Sequence, residues 1–347
     1  MDRRSLLKSL ALAGLLPSVP ALALRQGGAA AGVQPPSVDD LPRLAGELTL
    51  YLGRGEGGLY QDILDAIRNR NPDLELNVRR GPATALANTL VAEAGAGGVR
   101  ADVFWSIDSA SLGIVADRAD VVPVPDSVRA LLKQGLDYSG WIPVSGRFRT
   151  IAYNTEALSG DAIPDDVMAL PDTDWRFGWA PAYGSFQSFI TAMRLLEGEA
   201  ATRAWLEAMR EKATQYAGEF AIVMAASRGE IDLGFANHYY ALRLKQGQPD
   251  APVALDFTRN DAGCLMNASG AVVFSEDPLA MDFVRHLLTQ EVQSFLAREA
   301  YEIPLVAGVP EPAGLPPVAE IDPPDIDLER LADLQPTLKL LRETGVL

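Results

Sequence analysis

Two adjacent phenols, Tyr239 and Tyr240, carry the most pointed chemistry in this sequence and directly follow Asn237 and His238. A phenol with an ordinary pKa of ~10 is a poor metal ligand, but a hard trivalent cation can displace its proton and hold the phenolate oxygen. These two residues, called the tyrosine pair below, therefore raise the hypothesis of a ferric-iron site. The alternative is that one phenol packs in a core while the other hydrogen-bonds at its edge.

The elements around the tyrosine pair decide whether its phenols can meet. Residues 231–236 have the apolar character of a buried strand and end just before the pair. Adjacent residues of a strand point to opposite faces, so the two phenols can converge only if a turn or a helix begins there.

Strand-like and helical patterns alternate along the chain from Glu47 onward. Strand patterns on either side of a helical repeat predict a βαβ unit with a parallel sheet. The predicted strands are 48–52, 74–78, 102–106, 150–153 and 231–236. The predicted helices are 59–67, 84–94, one capped by Ser185, 201–212, one opened by Asp277-Pro278 and reaching Leu288, and 328–344. A chain of 347 residues exceeds what one core usually holds, so we expect an α/β protein with two lobes.

The N-terminus predicts export. The pair Arg3-Arg4 precedes a short apolar stretch and a small-residue cleavage site at Ala23, which together predict a signal peptide over residues 1–23. Residues 24–46 are rich in Gly, Ala and Pro and are predicted to form a flexible leader. The twin arginines fit the signal that exports folded proteins, with an ordinary secretory signal as the alternative.

Composition and charge limit the classes of function. The formal net charge is −16 and no basic cluster offsets it, so we expect no binding to nucleic acid or anionic lipid. Cys264 is the single cysteine of the sequence, which excludes an internal disulfide and a lipid-anchoring cysteine near the cleavage site. No later segment has the ~20 uninterrupted apolar residues of a transmembrane helix, so we expect the mature chain to be soluble outside the cytoplasm.

A glycine-rich turn supports a competing interpretation. Gly53, Gly55 and Gly58 satisfy the G-x-G-x-x-G pattern of dinucleotide-binding sites, which leaves an exported oxidoreductase as an alternative. Against it, the two histidines, His238 and His286, form no catalytic pattern with acids, and the G-x-S-x-G and H-E-x-x-H motifs are missing. We therefore expect no catalysis, and a turn whose backbone N–H groups face a ligand cleft.

A set of motifs follows one another in a specific order. They are Tyr51-Leu52-Gly53-Arg54-Gly55-Glu56, Ala101-Asp102-Val103-Phe104-Trp105-Ser106, Ser145-Gly146-Arg147-Phe148-Arg149, Gly229-Glu230-Ile231-Asp232, Asn237-His238-Tyr239-Tyr240 and Ser269-Gly270-Ala271. From Glu47 onward the chain resembles the periplasmic ferric-iron-binding proteins of ABC transporters. The resemblance implies a two-lobed α/β periplasmic binding protein fold of type II, with a strand hinge and a ligand cleft between the lobes. It places lobe 1 at 46–148 plus 257–305 and lobe 2 at 149–256 plus 306–347.

The same resemblance implies metal ligands. Both phenolates of the tyrosine pair would coordinate ferric iron as the transported ligand. The family often has a histidine where this chain has Gly55, and an acid where it has Ile107. Glu56 or Asp108, each one residue away, could supply a hard oxygen ligand instead. The alternatives are a solvated acid for Glu56 and a helix or turn cap for Asp108.

A small anion, such as carbonate or phosphate, commonly completes the coordination of iron in this family. The resemblance implies an anion-holding loop at Gly184 and Ser185, with Asn237 as a further contact. Tyr183 replaces a usual serine in that loop, and either supplies a third phenolate or packs over the loop. Two arginines of the hinge strand could neutralise the anion or form salt bridges within the hinge: Arg147 and Arg149.

Together with these features, the resemblance implies the substrate-binding component of an ABC importer. We expect it to bind ferric iron as a monomer, to close by a hinge motion and to deliver the iron to a permease in the inner membrane. Two alternatives stay open, namely the same fold binding an organic or phosphorylated anion, and the exported oxidoreductase.

Overall fold

The computed structural model describes residues 33–54, 58–133 and 135–347, which contain ten strands and eleven α-helices. The strands are β1 (Gly46–Gly53), β2 (Leu74–Arg80), β3 (Val103–Ser106), β4 (Ile142–Asn154), β5 (Phe177–Trp179), β6 (Ala213–Gln215), β7 (Leu233–Asn237), β8 (Val253–Asp256), β9 (Met266–Val273) and β10 (Ile303–Pro304). The helices are α1 (Leu59–Arg70), α2 (Ala83–Gly95), α3 (Ser109–Arg118), α4 (Asp126–Arg129), α5 (Gly184–Glu197), α6 (Glu199–Arg210), α7 (Glu219–Ser227), α8 (His238–Gly247), α9 (Pro278–Leu287), α10 (Gln290–Glu299) and α11 (Leu334–Glu343). Among these described helices, none combines the length and the apolar composition of a membrane span.

The strands form one sheet with two halves that share β4. In the first half the order is β2-β1-β3-β9-β4, and β1 runs parallel to both β2 and β3, which confirms the predicted βαβ unit. In the second half the order is β4-β7-β5-β6, and β8 pairs with the other edge of β4. The fold is therefore mixed α/β, as the alternation of patterns predicts.

Strand β4 changes partners halfway along its length. Phe148 is its last residue paired with β9, opposite Met266, and Arg149 is its first paired with β7, opposite Asn237. Residues 257–265 make a second connection between the halves, from β8 to β9. Extended segments that pass between two α/β halves agree with the strand hinge that the resemblance implies. The predicted lobe limits stay a prediction, and the partner change in β4 falls where they put a boundary.

Apolar side chains cover both faces of the sheet. One buried cluster lies under the first half, around Leu64 and Phe283, and another lies in the second half and includes the tyrosine pair. A third cluster runs through both halves and contains Phe148, whose ring meets the ring of Phe257 edge-on at 6.2 Å. The residues at the hinge are therefore packed in a continuous core.

Both terminal segments contact the sheet halves. The predicted signal peptide and residues 24–32 of the predicted leader lie outside the described residues, but the rest of the leader contacts the first half. There Ser37 Oγ donates to Glu291 Oε1 at 2.6 Å, and Leu44 is buried. At the other terminus, residues 328–332 pack on α3, while Thr337 of α11 lies 2.8 Å from Thr191 of α5, oxygen to oxygen. The C-terminal segment thus touches elements of both halves.

Some predicted elements have different bounds in the structure. Strand β4 begins at Ile142, well before the predicted 150–153, and the last predicted helix divides into a 3-10 turn (Leu328–Ala332) and α11. Pro336 stands in the first turn of α11, where its missing N–H is tolerated, and Asp333 leaves the helical conformation just before it. The cap at Asp277 is confirmed, because its carboxylate accepts from Leu279 N at 2.9 Å, but that helix ends at Leu287.

The partly buried carboxyl of Asp256, at the end of β8, gives a prediction about stability. Burial, together with the nearby carboxylates of Asp165 and Asp161, raises the pKa of Asp256 to about 6. Ionisation therefore opposes folding, and this group makes the wild-type protein less stable as the pH rises from about 4 to about 6. We expect Asp256→Asn to raise the free energy of unfolding at pH 7 by about 1 kcal/mol, after allowance for solvent screening, and to have no such effect at pH 4.

Urea denaturation at the two pH values measures this difference. The exposed Asp174 gives the matched control, since Asp174→Asn should leave stability nearly unchanged. An Asp256→Asn protein that is no more stable than wild type at pH 7 would contradict the prediction.

Candidate metal and anion site

The tyrosine pair lies where a strand turns into a helix. Strand β7 ends at Asn237, whose backbone is extended, and α8 begins at His238, so both tyrosines occupy the first turn of α8. This confirms the helix start that convergence of the phenols requires. The two rings have centroids 4.5 Å apart and planes inclined by 58°. The backbone therefore brings two consecutive phenols together.

A third phenol meets the pair from a different element. Tyr183 stands at the N-cap position of α5, and its hydroxyl lies 2.8 Å from that of Tyr240. Asn237 Nδ2 donates to the hydroxyl oxygen of Tyr239 at 3.1 Å. The structure thus joins four predicted site residues through their side chains, and Tyr183 and Tyr240, which link the two segments, are 57 residues apart in the sequence.

A buried ion pair forms hydrogen bonds to residues of this site. Arg149 Nη1 donates to Glu219 Oε1 at 2.6 Å, and both residues are at most 2% exposed. Arg149 Nη2 also donates to Ser185 Oγ at 3.0 Å, while Glu219 Oε2 accepts from the backbone N–H of Asn237 at 2.9 Å. Burial raises the pKa of Glu219, while the ion pair with Arg149 and the N–H of Asn237 favour its ionised form. The alternative of a salt bridge in the hinge is realised for Arg149.

Ser185 has a different role from the predicted one. It was expected to cap its helix, but Tyr183 holds the N-cap position of α5 and Ser185 lies in the first turn. The Ser185 hydroxyl instead donates to Asn237 Oδ1 at 3.1 Å. Because Gly184 and Ser185 form the first turn of α5, their backbone N–H groups belong to the end of the helix that attracts anions.

The first half of the sheet presents polar groups beside the hinge. Arg147 Nη1 donates to the carbonyl oxygen of Ile107, and Arg147 is the register partner of Asn267 on β9. Arg147 Nε and Asn267 Nδ2 are buried donors without a hydrogen-bond partner among the described residues. Two such donors on neighbouring strands are suited to an acceptor of negative charge.

Of the two candidate acidic ligands in this half, the structure describes only Asp108. Asp108 is the N-cap of α3, and its Oδ1 accepts from Ser111 N at 2.7 Å, which is the capping role named as its alternative. Glu56 and Gly55 lie outside the described residues. Within the described ranges, no group of three or more His, Cys, Asp and Glu side chains is placed to hold a metal ion.

His238 uses both ring nitrogens within the protein. Its Nδ1 accepts from the backbone N–H of Phe148 at 3.0 Å, so Nε2 carries the proton and donates to the carbonyl oxygen of Tyr301 at 2.6 Å. Burial lowers the pKa of His238 to about 4, and the imidazole is therefore neutral at pH 7. These two hydrogen bonds fix the orientation of the ring at the start of α8.

Glu219 was missed by the sequence interpretation. It opens α7, where the following residues up to Ser227 include no other charged side chain. A lone acid at the start of an apolar helix could have indicated a buried partner, because buried carboxylates are usually paired. The identity of that partner, Arg149, depends on the sheet register and is visible only in the fold.

Phenol oxygens, backbone N–H groups and guanidinium groups define the chemistry of this site. Phenolates are hard, anionic ligands, whereas a helix N-terminus and arginines hold a small anion. Fold and site together define a two-lobed type II binding protein with a polar site at its hinge.

Comparison with known proteins gives the family. Residues 54–294 match the model of the bacterial extracellular solute-binding proteins, and the chain belongs to this family. The chain is 28% identical over 319 residues to the major ferric iron-binding protein of Neisseria meningitidis, a match that spans 88% of this chain and 94% of the relative. It is 27% identical over 289 residues to the Fe(3+)-binding periplasmic protein of Serratia marcescens, across 80% of this chain and 85% of the relative.

Solved structures agree with these relatives. Iron-bound HitA from Pseudomonas aeruginosa is 28% identical and superposes with a TM-score of 0.79, covering 86% of this chain and 99% of the other. A Trichodesmium protein solved with iron and citrate is 23% identical with a TM-score of 0.74 over 86% of this chain and 99% of the other, and supports the fold. The resemblance to ferric-iron-binding proteins and the type II fold are thereby confirmed. The relatives are binding and uptake proteins by name, with no enzyme among those described.

Proposed function

We propose that this protein is the exported substrate-binding component of an ABC importer and that it binds ferric iron through the tyrosine pair. The observation that carries the proposal is the convergence of three phenols, in which Tyr183 and Tyr240 approach to 2.8 Å between oxygens. The names of the relatives in Neisseria and Serratia support the same ligand.

Three phenols suit a ferric ion in both hardness and charge. When the metal replaces the phenolic protons, Tyr239, Tyr240 and Tyr183 together contribute three negative charges. The hydrogen bond between Tyr183 and Tyr240 then gives way to shared coordination of the cation. Glu56 and Asp108 stay as candidates for a further oxygen ligand, although Asp108 also caps α3.

A small anion, such as carbonate or phosphate, would complete the coordination sphere. The N-terminus of α5 at Gly184 and Ser185 offers backbone N–H groups, and Asn237 lies beside them. Arg147, from the first half of the sheet, offers an Nε that has no hydrogen-bond partner among the described residues. Donors from both sides of the hinge would let one anion contact both lobes.

Iron capture would be coupled to delivery by closure of the lobes. We infer that lobe 1 comprises 46–148 plus 257–305 and lobe 2 comprises 149–256 plus 306–347, with motion about the point where β4 changes partners. The closed, iron-loaded protein would act as a periplasmic monomer and dock on a permease of the inner membrane, without catalysing a reaction.

A ligand titration separates this function from its rivals. We expect ferric citrate to produce a visible phenolate-to-iron charge-transfer band and to raise the melting temperature, since a ligand that binds only the folded state stabilises it. Parallel samples with a phosphorylated sugar, a phosphonate and a nicotinamide cofactor should do neither. A colourless protein stabilised only by phosphate esters would contradict iron binding and favour an organic-anion carrier, and stabilisation by the nicotinamide cofactor would favour the oxidoreductase.

A further inference from the structure

Side chains of the helix that carries the tyrosine pair, α8, donate hydrogen bonds to a turn in the first half of the sheet. This turn, residues 300–302, connects α10 to β10, and β10 pairs with β4 opposite Ser145 and Gly146. His238 Nε2 donates to the carbonyl oxygen of Tyr301 at 2.6 Å. Arg243, one turn further along α8, donates to the carbonyl oxygen of Ala300 at 3.0 Å and lies 4.6 Å above the ring of Tyr239.

The other side of the same imidazole holds the hinge strand. His238 Nδ1 accepts from the N–H of Phe148 at 3.0 Å, and Phe148 is the last residue of β4 that pairs with β9. The ring therefore sits where β4 passes from one half of the sheet to the other. It is fully buried, so both hydrogen bonds are shielded from water.

The 300–302 turn is fixed within the first half. Glu302 is 3% exposed and receives hydrogen bonds from Arg54 at 2.6 Å and from the hydroxyls of Tyr60 and Ser145. Tyr301 has a φ of 57°, a conformation that costs free energy in a non-glycine residue and persists only where the surroundings hold it. The carbonyl group that His238 contacts therefore belongs to a turn that is held firmly in place.

We propose that His238 is a positioning residue, which ties the first turn of the tyrosine helix to the hinge strand and to the 300–302 turn, so that iron binding and lobe closure are coupled. The inference rests on the proposed function for its iron-binding part. Because coupling between two equilibria is reciprocal, a contact that holds the phenols in place for iron also makes iron favour the closed arrangement. Loss of such a supporting partner typically weakens metal binding about tenfold to hundredfold.

Two substitutions test the two hydrogen bonds of His238 separately. His238→Asn keeps an acceptor near the position of Nδ1 and loses the reach to Tyr301, whereas His238→Gln keeps a donor near the position of Nε2 and loses the bond to Phe148. Both retain the tyrosines, so both iron-loaded proteins should keep the visible band. Melting curves establish that each variant is folded.

The measurements are iron release to a competing chelator, the radius of gyration by small-angle X-ray scattering, and amide hydrogen exchange at Phe148. We expect His238→Asn to release iron about tenfold to hundredfold faster and to have a larger radius, because the tie to the turn is lost. We expect His238→Gln to keep the wild-type radius and to exchange the Phe148 amide hydrogen faster. Wild-type values of all three quantities in both variants would overturn the proposal and leave His238 as a packing residue.

The ligand-free protein distinguishes failure of this inference from failure of iron binding. If the wild-type protein takes up no iron, the proposed function fails. The radius of gyration and the amide hydrogen exchange at Phe148 still report on the two hydrogen bonds of His238. A changed radius in His238→Asn with faster exchange in His238→Gln would then support the positioning role, and unchanged values would overturn it.

Discussion

Replacing Tyr239 and Tyr240 together by phenylalanine should abolish the visible band and reduce ferric binding to the level of non-specific association. In the proposed site each single substitution would remove one anionic oxygen from the metal, and we expect it to lower affinity by about 100-fold or more, equivalent to about 2.7 kcal/mol. Tyr183→Phe should cause a smaller loss, of about tenfold, because Tyr183 reaches the pair from another element through Tyr240. Spectrophotometric titration against a competing chelator measures all four proteins.

The matched control is a phenol outside the site. Tyr138 is buried and stacks on Trp141 with centroids 4.1 Å apart, so Tyr138→Phe tests the loss of a buried hydroxyl without touching the tyrosine pair. We expect that variant to keep the band and the affinity of the wild type. Unchanged iron binding in the Tyr239 and Tyr240 variants would exclude the pair as ligands.

Breaking the buried pair of Arg149 and Glu219 should produce the largest loss of stability. Glu219→Ala leaves the guanidinium of Arg149 buried without its carboxylate and removes the acceptor of the Asn237 N–H. We expect the free energy of unfolding to fall by about 3–5 kcal/mol, as is typical for removal of one partner from a buried ion pair. Glu219→Gln keeps hydrogen-bonding capacity and should cost less, about 1–3 kcal/mol. Urea denaturation of the ligand-free proteins measures both.

A surface pair provides the comparison. Arg203 Nη2 and Glu343 Oε2 are also 2.6 Å apart, but both side chains are partly exposed, so Glu343→Ala should cost much less than Glu219→Ala. Because Glu219→Ala removes the acceptor of the Asn237 N–H, that variant should also bind iron more weakly in the presence of phosphate. Equal losses of stability in Glu219→Ala and Glu343→Ala would contradict the prediction, because burial of the first ion pair would then not increase its contribution to the free energy of unfolding.

The sequence was most informative where local patterns and chemistry coincide. The tyrosine pair, the preceding strand and the need for a helix start were all visible from residue types, and the structure places Asn237 and α8 accordingly. The βαβ unit at the start of the fold and the cap at Asp277 also follow from short-range rules.

Other features depend on distant partners and could not be predicted from spacing. The full length of β4 follows from its pairing with β9 in one half and β7 in the other, which no local pattern encodes. Ser185 looks like a helix cap in sequence, but in the fold its hydroxyl accepts from Arg149 Nη2 and donates to Asn237 Oδ1. Likewise, only the tertiary structure shows that His238 contacts both Phe148 and Tyr301.

The central claim is that ferric iron is held by the phenolates of the tyrosine pair. The most direct test is an anomalous-difference map, recorded at the iron absorption edge, from crystals of the iron-loaded protein. We predict one strong peak within coordination distance of the phenolate oxygens of both Tyr239 and Tyr240, with Tyr183 adjacent. A peak away from both oxygens, or the lack of any peak in fully loaded crystals, would contradict the account.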